Sequence, residues 1–184
     1  PVPVRWGPRA TARVLRAQLP REAMRRHLSP EARCKEGAMA AGCGAVSAMI
    51  DLSDGLLADL SHILAPGGMG AILNEKAFRI STRFRKASAE LGLDPLAAFL
   101  AGGEDYELLM AVHPHRYDAF RRASRKFPSG AFPIGVVTRQ GGVRVRRADD
   151  SWLSGSELPR GFSHFPPSAP AGAKESKRSS RRRS

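Results

Sequence analysis

The stretch SAMIDLSDGLLADLSHIL, Ser47 to Leu64, sets Asp51, Ser53, Asp54 and Gly55 inside an otherwise apolar run. The segment before them, Ala45 to Ile50, is short and mostly apolar and reads as a buried strand. The segment after them repeats Leu56, Leu57, Leu60, Ile63 and Leu64 at helical spacing until Pro66-Gly67-Gly68 stops it. The acids and the serine therefore fall where a buried strand turns into a helix. In α/β sheets, sites gather at the carboxyl ends of strands, where the next helix offers free N–H groups to phosphate.

Working outward, strands and helices alternate. Arg9 to Arg26 reads as a basic helix interrupted at Pro20, and Lys35 to Ala41 as a short helix ended by Gly42 and Gly44. Gly70 to Leu73 is a second short strand. Ser81 to Leu91 reads as helical, and Asp94-Pro95 starts another helix with an N-cap and a first-turn proline. Gly102 and Gly103 end that helix, and Tyr106 to Val112 follows as a strand. His115 to Lys126 carries Tyr117, Phe120 and Ala123 on one helical stripe. Ala131 to Thr138 and Val143 to Arg147 read as strands, with a turn at Gly141-Gly142. This order predicts an α/β (α+β) sandwich, a mixed sheet covered by helices.

The chain has 184 residues, 42% of them hydrophobic, enough for one domain with a core. Its net charge of +13 is unevenly placed. Residues 1–35 carry nine Lys/Arg against two Glu, and residues 167–184 carry six against one, which leaves +1 for the centre. The reading is a basic segment over 1–26, a domain over 27–166, and a disordered basic tail over 167–184. No secretory signal pattern and no bilayer-length apolar run is evident, so a soluble cytoplasmic protein without a membrane partner is expected. Pro1 in place of Met leaves room for a piece of something longer. Cys34 and Cys43 match no zinc spacing and read as free thiols.

Three segments carry candidate chemistry. Asp51 and Asp54, three apart, can aim two carboxylates at one point, and magnesium often takes one or two carboxylates beside water and phosphate oxygens. Ser53 adds a hydroxyl. The plainer reading is a capped helix start, since Asp and Ser are the usual N-caps. The second segment is GGEDYEL, Gly102 to Leu108. Its glycines allow close backbone approach, and Glu104 can accept from an amino-bearing ligand; the plainer reading is a helix C-cap and an acidic turn. The third is GFSHF, Gly161 to Phe165, where an aromatic can stack on a flat ring or simply pack on the core.

Together with LGLDPLAAFLAGGEDYELLMAV and IGVVT, these segments resemble the carboxyl-terminal half of bacterial thiamine-monophosphate kinase. That enzyme belongs to the superfamily of aminoimidazole ribonucleotide synthase, selenophosphate synthetase and a hydrogenase-maturation protein. The resemblance covers roughly residues 27 to 165. It implies Asp51 and Asp54 as Mg2+ ligands, Ser53 as an ATP contact, and Glu104 and Phe162 as contacts to thiamine monophosphate. It implies ATP-dependent phosphorylation of thiamine monophosphate to thiamine diphosphate. In the family, the amino-terminal half supplies an acid-rich metal motif, most of the ATP site and the dimer interface. No such motif precedes Asp51, so the chain alone is expected to be inactive, with a missing amino-terminal half or a homodimer partner completing the site.

Two other readings remain. One is another ATP-dependent member of the same superfamily, against which GGEDYEL argues. The other is a non-enzymatic, basic nucleic-acid-binding protein. Against it stand the near-neutral centre and the lack of aromatic–basic interleaving or zinc-finger spacing, so no specific nucleic-acid partner is expected.

Overall fold

The computed structural model describes residues 21–159. Helix α1 (Arg21–Leu28) and helix α2 (Cys34–Gly42) lead into strand β1 (Val46–Asp51) and helix α3 (Leu56–Leu64). A 3-10 turn at Ala65–Gly67, where Pro66 cannot donate to a continuing helix, ends α3. Strand β2 (Gly70–Asn74) follows, then helix α4 (Thr82–Glu90) and helix α5 (Pro95–Ala101). Both helices are capped: the Asp94 carboxylate accepts from the Leu96 N–H, as its sequence predicts, and the Ser81 hydroxyl accepts from the Phe84 N–H. Strand β3 (Leu108–Val112), helix α6 (Tyr117–Ser124), and strands β4 (Gly135–Thr138), β5 (Gly142–Arg146) and β6 (Trp152–Ser154) complete the order.

The fold is the expected mixture of strands and helices, but the strands form two sheets. β1 and β3 make an antiparallel pair, and β4-β2-β5-β6 make a mixed sheet in which β2 and β5 run parallel. The main core lies between them. Leu56, Leu57, Leu60 and Leu64 of α3 meet Ala71 and Leu73 of β2, Leu96 and Leu100 of α5, Leu109 of β3 and Val145 of β5. A smaller cluster joins Ala40 and Ala45 to Phe120 and Phe127, which docks α2 on α6.

Two differences from the sequence reading matter. β3 starts at Leu108, not Tyr106, because Glu104 (φ 64) and Tyr106 (φ 52) are left-handed and cannot join a ladder. β6 was not expected: three residues, Trp-Leu-Ser, are too few to show a period. Cys34 and Cys43 are free, Cys34 exposed and Cys43 half-buried. Among the described residues no helix is long and apolar enough to cross a membrane. The expected helix before Pro20 and the expected disordered tail lie outside the described residues.

Candidate functional site

The site follows from one register. β1 and β3 are antiparallel, with Ile50 opposite Leu109 and Asp51 opposite Leu108. The residues that leave β1 and those that enter β3 therefore sit at the same end of the ladder. This brings DLSDG and GGEDYE together across half a hundred residues of sequence. Backbone hydrogen bonds continue beyond the ladder and join the two loops. The Leu52 N–H donates to the Glu107 carbonyl, the Tyr106 N–H to the Leu52 carbonyl, and the Glu104 N–H to the Ser53 carbonyl, each at 2.8 Å.

Glycine makes this approach sterically feasible. A Cβ at Gly103 would lie 2.4 Å from the Ser53 carbonyl oxygen, and one at Gly55 would lie 2.9 Å from the Ala101 carbonyl oxygen. Gly55 also has φ 113, a conformation that L side chains rarely adopt. The glycines of both loops thus serve one contact. Gly102 does end α5, its N–H donating to the Ala98 carbonyl, so the plainer reading of that glycine and the close-approach reading of its neighbour are both realised.

Asp59, the one acidic residue of α3, holds the loop from inside. It is 2% exposed. Its Oδ2 accepts the N–H groups of Ser53, Asp54 and Gly55 at 3.0, 3.1 and 3.1 Å. The amides just before α3, expected to be free for phosphate, are therefore occupied by a carboxylate. The visible signal was an Asp four residues after Gly55 in an otherwise apolar helix turn.

The GGEDYE loop is a charged, strained segment. Arg33 grips Glu107 with both arms of its guanidinium, Nε to Oε2 at 3.1 Å and an Nη to Oε1 at 2.7 Å. Glu31 and Glu36 lie near the same guanidinium, and Glu107 holds the Arg33 pKa above its ordinary value. His27 Nδ1 lies 3.5 Å from Glu104 Oε2 at the exposed surface. Asp105 is an exposed residue, but neighbouring protein partly desolvates its carboxyl, which lies near the charge of Glu107. Burial first, and that charge second, push its pKa up to about 6.

Asp51, Ser53 and Asp54 all lie at the strand-to-helix junction, Asp51 exposed and the other two half-buried. Glu104 is exposed on the facing loop. Phe162 lies outside the described residues. Hard carboxylate and hydroxyl oxygens suit magnesium. Among the described residues no three His, Cys, Asp or Glu side chains gather closely enough to hold a metal, so the junction offers two carboxylates at most. That number suits an ion whose remaining ligands are water and phosphate oxygens.

Residues 15–148 match the family described as AIR synthase related protein, C-terminal domain. The chain belongs to that family. It is 46% identical over 89 residues to the thiamine-monophosphate kinase of Mycobacterium tuberculosis, covering 48% of this chain and 26% of that protein. It is 32% identical over 139 residues to the thiamine-monophosphate kinase of Rhodopirellula baltica, covering 76% and 43%. It is also 34% identical over 116 residues to the carbamoyl dehydratase HypE of Cupriavidus necator, covering 58% and 32%. Among solved structures, AaThiL complexed with AMPPCP and TMP superposes with a TM-score of 0.62 at 26% identity, over 85% of this chain and 47% of that one. The chain thus spans less than half the length of these relatives.

Proposed function

We propose that this chain supplies the carboxyl-terminal part of a thiamine-monophosphate kinase site, which transfers the γ-phosphoryl of ATP to the phosphate of thiamine monophosphate. The observation that carries the reading is the hydrogen-bonded, glycine-tight junction of DLSDG with GGEDYE. In this reading Asp51 and Asp54 hold Mg2+, the Ser53 hydroxyl meets the nucleotide phosphates, and Glu104 and Phe162 face thiamine monophosphate. Likeness to thiamine-monophosphate kinases, one of them solved with AMPPCP and TMP, supports it.

The acceptor is already an anionic phosphate, so it needs positioning and charge neutralisation more than a strong base. When bound, magnesium offsets the repulsion between two phosphate-bearing substrates. The chain's own residues supply the fixed oxygens: the paired loops lock the backbone of residues 51–55, so little reorganisation accompanies binding. Two carboxylates are a partial set for a triphosphate beside a monophosphate, and further acids from an amino-terminal half or a partner subunit complete it.

The test is a chimera in which residues 15–165 replace the matching segment of the Rhodopirellula kinase. ADP release with thiamine monophosphate is the readout. Magnesium-dependent turnover that falls at least a hundredfold on Asp54→Asn or Asp51→Asn is expected, whereas the 184-residue chain alone stays at background. A folded chimera without turnover, or one indifferent to both substitutions, refutes the assignment.

A further inference from the structure

The buried Asp59 carboxylate has no role in the chemistry outlined above, yet it lies against the residues assigned to it. Its backbone N–H makes the first helical bond of α3, to the Gly55 carbonyl at 3.0 Å, which places its side chain beside the helix start. From there one oxygen takes three successive amides, those of residues 53, 54 and 55. On the other side, the carbonyls of residues 52 and 53 and the N–H of residue 52 are taken by the GGEDYE loop. The junction backbone is therefore held from both sides, by an anion on one and by paired peptide groups on the other.

This has a chemical consequence. Three convergent N–H groups at a helix start make an anion site when left open. Here the chain fills that site with its own carboxylate and adds negative charge beneath Asp51 and Asp54. We infer that Asp59 is a positioning residue that closes the amide nest and turns the junction from an anion site into a cation site, with Asp51, Ser53 and Asp54 held outward. The inference rests on the assignment of Asp51 and Asp54 as cation ligands. It adds that phosphate makes no direct contact with these three amides, and meets the junction only through the cation and the Ser53 hydroxyl.

The experiment uses the full 184-residue chain, 15N-labelled, and Mn2+ as the probe. Mn2+ should broaden the amide signals of residues 51–55 before all others. Asp59→Asn keeps the size and one acceptor oxygen but removes the charge. It should shift the Ser53, Asp54 and Gly55 amide signals selectively and raise the Mn2+ concentration needed for half-broadening at least fivefold. Inorganic phosphate without metal should leave those three amides unmoved in the parent chain. Asp51→Asn and Asp54→Asn separate the two levels of inference. If neither changes the Mn2+ requirement, the cation-site reading itself fails. If they raise it while Asp59→Asn leaves both it and the three amides unchanged, only the role of Asp59 is overturned. Phosphate binding to those amides in the parent chain overturns it as well. Should Asp59→Asn not fold, amide exchange in the parent chain decides. Protection of residues 53–55 by at least a hundredfold supports the closed nest, and exchange at open-loop rates rejects it.

Discussion

Gly103→Ala is the sharpest perturbation of the junction, because it adds one methyl group where two loops touch. The new Cβ would sit 2.4 Å from the Ser53 carbonyl oxygen, 3.2 Å from the Asp54 carbonyl carbon and 3.3 Å from the Asp54 Cα. All three are backbone atoms, so no side chain can swing aside. Ordinary contact needs about 3.5 Å, so the loops must part by about 1 Å. That opening breaks the 2.8 Å bond from the Glu104 N–H to the Ser53 carbonyl. Overpacking strain of about 1–3 kcal/mol and about 1 kcal/mol for the lost bond give a destabilisation of about 2–4 kcal/mol. For a domain of this size that lowers Tm by about 5–15 °C. Gly42→Ala is the control: it sits at the end of α2 with nothing within 4 Å of a new Cβ, and should be neutral or stabilise by up to ~1 kcal/mol. Urea unfolding followed by circular dichroism measures both. A Gly103→Ala chain within about 1 kcal/mol of the parent refutes the close junction and, with it, the joining of the two motifs.

Other expectations follow from the charges. Arg33→Gln removes a bidentate pair that spans 74 residues and leaves Glu107 beside Asp105; it should destabilise by about 1–3 kcal/mol in the same urea assay, and Glu107→Gln added to it should restore part of the loss. The Asp105 carboxyl binds its proton more tightly folded than unfolded, with a pKa of about 6 against the ordinary 3.8. Stability should therefore fall as pH rises between these values, and Asp105→Asn should flatten that fall and be the more stable chain at pH 7; superimposable pH profiles would exclude it. Residues 1–35 and 167–184 hold +7 and +5 of the +13 charge, so duplexes of unrelated sequence should bind equally at low salt and detach near physiological salt. Fluorescence anisotropy checks this, and sequence-selective binding by residues 36–166 would argue for the nucleic-acid reading instead.

Local order was legible in the sequence because its causes are local. The apolar period of Leu56, Leu57, Leu60 and Leu64, the cap at Asp94 and the stop at Pro66 act within a few residues of themselves, and each lies where its chemistry requires. The strand-to-helix turn at Asp51–Gly55 was legible for the same reason. The acids there also stood out, but the strand before them is not the buried one expected: β1 pairs only with β3, its residues alternate between half-buried and exposed, and Asp51 at its end is exposed.

Tertiary structure decided what no spacing encodes. Only the register of β1 on β3 places Ser53 against Glu104, because a slip of one residue would move every partner. Only that contact explains why Gly103 must lack a side chain. The bond between Arg33 and Glu107 joins two elements that neither composition nor period relates. Asp59 is the clearest case. In sequence it is one acid on a helix, but once α3 is docked its carboxylate is buried and must find donors. The nearest are the three amides of the junction it follows. Burial, a property of the whole fold, converts a surface-like residue into the anchor of the site.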